Sequence, residues 1–173
     1  EFPSLKTFAT LSPVPGFADW VSQSLQQDEL PVALSSAERK RLQALCPGAT
    51  EVASLQTLLT DVQWQEKDTH REALSGPLIK LAARYLLHAK RSNGFALNPV
   101  AHFHLSNGAR IERLNWLGDA SANGLAQSYG VMVNYLYKSS EIESNHESYR
   151  GEQKIRTSSS VRALAKGKSS NGD

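Results

Sequence analysis

Cysteine is almost missing from this chain: Cys46 is the only one in 173 residues. A disulfide framework within the chain is thereby excluded, and a reducing, cytoplasmic setting is the expectation. No apolar run reaches membrane-spanning length, so no membrane contact is expected. The first residues, EFPSLKTFAT, have neither a basic start nor an apolar stretch, so no signal peptide is read there; a start at Glu1 rather than Met suggests a trimmed or partial chain. Charge of one sign is also scarce. The net charge of +2 is weak for a nucleic-acid binder, and no nucleic-acid partner is expected. Familiar catalytic signatures are absent too: there is no G-x-S-x-G elbow, no H-E-x-x-H helix and no glycine-rich phosphate loop.

What is present describes an ordinary globular chain, 40% hydrophobic and 21% charged, long enough for one domain with a real core. Phe8–Ser12 reads as a short strand stopped by Pro13. FADWVSQSLQQ then sets Phe17, Trp20, Val21 and Leu25 on one helical face. Ser35 and Glu38 form a capping box before a surface helix. Thr50 caps a helix whose stripe is Val52, Leu55, Leu58 and Leu59. In GPLIKLAARYLLHAKR, Pro77 suits a first helical turn, Lys90 and Arg91 suit the C-terminal end, and Gly94 marks the stop. The period then changes. NPVAHFHLSNGARIERLNWL alternates, with Val100, His102 and His104 on one side and Ala101, Phe103 and Leu105 on the other. This predicts a strand, a hairpin at Asn107-Gly108, and a return strand over Arg110–Leu117. A polar connection, GDASANGLAQSYG, leads to a third strand in VMVNYLYK. The expected fold class is α+β, a helical middle followed by antiparallel strands. From Arg150 onward six Lys/Arg face two acidic residues. That end reads either as a solvated helix with a frayed terminus or as a surface for an anionic ligand. Residues 166–173 are expected to be a disordered tail behind a body of residues 1–165.

Two segments carry candidate chemistry. LSPVPGF packs two prolines and a glycine behind Ser12, which is either simple turn punctuation or a rigid mount for a reactive side chain. His104 can act as acid or base near neutral pH, or can be a structural histidine with a satisfied hydrogen bond. Ser12 and His104 together would form a nucleophilic dyad. His102 and His104 on one strand face would suit zinc, but no third ligand is evident, so no metal is expected. Tyr135 and Tyr137 share a strand face, as core or with one hydroxyl lining a site.

The segments FATLSPVPGFADW, GFALNPVAHFHLSNGARIERLNWLGDAS, GLAQSYGVMVNYLY and SSSVRALA, in this order, resemble the C-terminal catalytic region of the malonyl-CoA decarboxylase family. The resemblance runs from Glu1 to about Ala165. It implies part of a GNAT acetyltransferase-like domain and the conversion of malonyl-CoA to acetyl-CoA and CO2 without a cofactor. It puts the catalytic serine at Ser12 and the catalytic histidine at His104 rather than His102. Asn98 and Tyr137, by their place in matching motifs, are expected to line the substrate site. The family's enzymes are longer, which implies that coenzyme A contacts and a helical oligomerisation domain precede this segment, and that the complete enzyme is a homo-oligomer. The chain ends NGD rather than the peroxisomal S-K-L of some eukaryotic members. Acyl transfer from coenzyme A, or a non-catalytic helical interaction fragment, are the alternatives.

Overall fold

The computed structural model describes residues 5–168. Chain order gives β1 (Thr7–Ala9), β2 (Ser12–Pro13), α1 (Phe17–Gln26), α2 (Ser36–Leu45), α3 (Glu51–Thr60), α4 (Asp68–His88), α5 (Pro99–Ser106), β3 (Arg110–Asn115), α6 (Ala122–Ser128), β4 (Met132–Lys138), α7 (Ile142–Glu152) and α8 (Ser159–Leu164). A 3-10 turn, Trp64–Glu66, precedes α4. The α+β expectation holds: helices pack with an antiparallel sheet in which β4 is central, β1 and β2 lie along one side of it, and β3 lies along the other.

Local chemistry explains the first helices. Ser35 Oγ accepts the Glu38 N–H while the Glu38 carboxylate accepts the Ser35 N–H, a complete capping box at the start of α2. Thr50 Oγ1 accepts the Ala53 N–H and opens α3. The predicted stripes of α1 and α3 turn inward, with Phe17, Val21, Leu25, Val52, Leu55 and Leu58 buried. They join one continuous core with the α4 side chains Leu74, Leu78, Leu81 and Leu86.

Four expectations need correction. Pro77 is not in a first turn but in the middle of α4, which begins nine residues earlier than its periodicity suggests. A mid-helix proline costs about 3 kcal/mol. Burial of Leu74, Leu78 and Leu81, each worth about 1.5–3 kcal/mol, offsets it. The helix also stops at His88, so Lys90 and Arg91 lie beyond it, and Gly94 belongs to the following turn.

The second correction matters most for function. Residues 99–106 form a helix, not a strand. Asn98 Oδ1 accepts the Ala101 N–H at 2.9 Å, and Pro99 fits the first helical position, where its missing N–H costs nothing. Ala101 and Leu105, spaced i and i+4, are the buried residues. An A-H-F-H-L run satisfies period two and one helical turn alike, and the cap decides. Third, Asn107-Gly108 therefore closes α5 instead of a hairpin. Gly108 has φ 85°, and a Cβ there would lie 2.3 Å from the Ile142 carbonyl oxygen.

The last correction concerns the polar connection, which contains the short helix α6 capped by Ser121. The other two strands of the C-terminal half form where expected, as β3 and β4. In the basic end, α8 buries Val161, and Ser158 Oγ caps it. Of the expected tail, residues 169–173 lie outside the described residues.

Candidate active site

The site starts from strand register. From Thr7 opposite Lys138 to Pro13 opposite Met132, the β1–β2 segment runs along β4 without a slip. Thr10 N–H donates to the Tyr135 carbonyl across the short break between the two strands. Residues directly opposite in an antiparallel pair share a face. Phe8, Thr10 and Ser12 therefore stand on the same face as Tyr137, Tyr135 and Val133. Helix α5 lies over that face and lowers His104 onto it.

The imidazole of His104 is held on three sides. Its Nε2 lies 3.2 Å from Ser12 Oγ. Its Nδ1 lies 2.6 Å from the Tyr137 hydroxyl. Its ring stacks on Tyr135 with centroids 4.3 Å apart. Burial pushes the His104 pKa below that of an ordinary histidine, because a charged ring is disfavoured away from water. Burial also raises the phenol pKa of Tyr137 and, more strongly, of Tyr135. Ser12 is itself buried, and its Oγ has a second neighbour, Thr10 Oγ1, at 2.9 Å. Phe8, stacked on Tyr137, and Phe103, edge-on to His104, are both exposed and flank the group.

Asn98 sits behind this arrangement, fully buried. While its Oδ1 caps α5, its Nδ2 donates to the Pro15 carbonyl at 2.8 Å. Tyr85 donates to the same carbonyl at 3.1 Å. One amide thus ties the turn after Ser12 to the start of the helix carrying His104. Gly16, at φ 81°, closes that turn directly ahead of α1. The proline-rich turn is therefore tied at its Pro15 carbonyl to both α4 and α5.

The histidines part company. Two residues on a helix are separated by roughly 200°, so His102 faces away from His104 and the shared strand face disappears. His102 Nδ1 meets the Tyr149 hydroxyl at 2.7 Å, and that hydroxyl accepts the Ala96 N–H. Burial, with Arg91 and Arg150 nearby, lowers the His102 pKa. Among the described residues no three His, Cys, Asp or Glu side chains gather as a metal site. Ser12, His104 and Tyr137 thus come together as neighbours, and Asn98 buttresses them. Thr10 and the stacking role of Tyr135 escape a reading of the sequence. Their signal is the period-two spacing of Phe8, Thr10 and Ser12 within the strand read over Phe8–Ser12; what the sequence lacks is the pairing of that strand with β4.

A mixed α/β domain with a serine, a histidine and a tyrosine in hydrogen-bond reach across a strand–helix junction has the layout of an acid–base active site. The malonyl-CoA decarboxylase C-terminal domain model matches residues 1–172, and the chain belongs to that family. The mitochondrial malonyl-CoA decarboxylase of Rattus norvegicus is 40% identical over 171 residues, covering 95% of this chain and 34% of the rat protein. That of Anser anser anser is 38% identical over 168 residues, covering 93% and 32%. Among solved structures, malonyl-CoA decarboxylase from Rhodopseudomonas palustris is similar with a TM-score of 0.75 and 42% identity, over 94% of this chain and 34% of that one. The Agrobacterium vitis enzyme gives 0.75 and 41%, over 95% and 37%. The chain spans about a third of the length of these relatives.

Proposed function

We propose that the protein carrying this chain decarboxylates malonyl-CoA, giving acetyl-CoA and CO2. The observation that carries the reading is His104 Nε2 at 3.2 Å from Ser12 Oγ, within a chain of this family. In the reaction the bond between the α-carbon and the carboxylate breaks. Its electron pair passes into the thioester as an enolate, and the α-carbon then takes a proton. The thioester is the electron sink, so no cofactor and no metal enter the proposal. Ser12 donates a hydrogen bond to the malonyl group, a fixed donor where charge develops. His104 delivers the proton from Nε2. The bound carboxylate beside the imidazole favours uptake of a proton from solvent before delivery. The short contact to Tyr137 suits both states, since a phenol donates to the bare Nδ1 of the neutral ring and accepts from Nδ1–H once the ring is charged. Tyr137 thus acts at the substrate site by steering His104. Asn98 acts from behind, as an anchor of both segments, in keeping with its full burial.

The sheet is read as part of a GNAT-like domain, an assignment that rests on the family resemblance; the outer edge of β1, which pairs with no other strand among the described residues, leaves room for a neighbouring strand. The coenzyme A contacts and a homo-oligomeric interface are assigned to the rest of the protein, and 173 residues alone are a poor catalyst on this view. The setting is proposed to be cytoplasmic. No described helix is long and apolar enough to cross a membrane.

Product analysis tests the reading. Supplied with malonyl-CoA, the protein carrying this chain should yield equal amounts of CO2 and acetyl-CoA. An acylated acceptor without CO2 points to acyl transfer, and no turnover points to an interaction fragment; either outcome sinks the proposal.

A further inference from the structure

The Ser12 hydroxyl has one proton and two lone pairs. Two of these three positions have visible partners: Thr10 Oγ1 at 2.9 Å and His104 Nε2 at 3.2 Å. The nearer partner is Thr10, on the same strand face two residues earlier. Its place is fixed by β4, the strand that also carries Tyr135 and Tyr137. Thr10 N–H donates to the Tyr135 carbonyl at 2.9 Å, and the Thr10 carbonyl accepts from Asn134 Nδ2 at 2.9 Å. Asn134 is held in turn, its Oδ1 accepting from Asn115 Nδ2. With its backbone bound on both sides and a β-branched side chain that restricts χ1, Thr10 offers its hydroxyl in one direction.

We propose that Thr10 is a positioning residue that sets the orientation of the Ser12 hydroxyl. Thr10 donates to one lone pair of Ser12 Oγ, and His104 Nε2–H donates to the other. The Ser12 proton is then left for the substrate. This rests on the roles proposed above for Ser12 and His104. Without the Thr10 hydroxyl, the Ser12 proton turns toward Nε2. That favours the tautomer with hydrogen on Nδ1, and the Ser12 proton is then spent on the ring instead of on the malonyl group.

The test compares Thr10→Val, which keeps shape and removes the hydroxyl, with Thr10→Ser, which keeps the hydroxyl. Valine is a good strand residue, so the fold is not placed at risk. In the complete protein, Thr10→Val should lower kcat by about three- to tenfold, the effect of one lost hydrogen bond, with KM within about twofold. Thr10→Ser should restore kcat to within about twofold of the parent. A second readout is independent of turnover: 15N spectra of histidine-labelled protein, with the His104 signal identified by its loss in His104→Ala. The parent and Thr10→Ser should show protonated Nε2, and Thr10→Val should gain the Nδ1–H tautomer. If the parent releases no CO2 from malonyl-CoA, the decarboxylase reading fails, while the 15N comparison still judges Thr10. Parent-like kcat and parent-like 15N shifts in Thr10→Val overturn the proposal. Equal losses in Thr10→Val and Thr10→Ser also overturn it, because they trace the effect to bulk rather than to the hydroxyl.

Discussion

Replacing His104 by alanine in the complete protein is expected to lower kcat on malonyl-CoA by at least about 100-fold, the lower end for general acid–base catalysis. The ring is the only histidine in reach of Ser12 among the described residues, and both of its nitrogens are occupied on the face shared by β1, β2 and β4. His102→Asn is the matched control. That side chain points toward Tyr149 and Phe95 instead, away from Ser12, so its loss should cost kcat less than about threefold, well below the range for a general acid or base. Steady-state kinetics of the two variants decide the matter. A mild His104→Ala together with a crippled His102→Asn would reverse the assignment of the two rings.

Ser12→Ala should lower kcat by about 100- to 1,000-fold, as for removal of one preorganised donor from a developing negative charge. The size of the effect follows from placement. Ser12 is buried, set in the register of β4 on one side and backed by the Pro15 turn on the other, so a solvent molecule in its place is poorly oriented. The same residue separates a hydrogen-bonding role from a covalent one. Intact-mass measurement of the protein quenched during turnover should show no acyl adduct. An adduct of malonyl or acetyl mass on Ser12 would convert the dyad into a nucleophilic one, with His104 as its base.

How much of this was legible in the sequence depends on where local chemistry acts alone. Ser35 with Glu38, and Thr50, are short-range caps, so α2 and α3 could be read directly. The buried face of α1 is equally local. Helix α5 was misread because its apolar pattern fits two periods over eight residues. What resolves it is the local cap from Asn98 with Pro99 behind it, a helix-start signal that the alternation of the following residues masks. Pro77 misled for a related reason: packing of α4 outweighs a local helix breaker, and no local signal reports packing. The paired Ser12 and His104 were legible only through long ordered motifs, since 92 residues separate them. His104 reaches Ser12 from a helix rather than from a strand face, a direction that the ordered motifs do not carry. Tyr137 was readable as a strand aromatic, but its hydroxyl on Nδ1 needed α5 to be a helix lying across β4.

The central claim is that His104 protonates a thioester enolate formed by loss of CO2, and turnover of malonyl-CoA in deuterium oxide tests it most directly. The complete protein should release CO2 and give acetyl-CoA carrying one solvent deuterium in the methyl group from protonation of the enolate, with both product and label lost at least about 100-fold in rate in His104→Ala. Acetyl-CoA formed without solvent deuterium, or formed at an undiminished rate by His104→Ala, would contradict it.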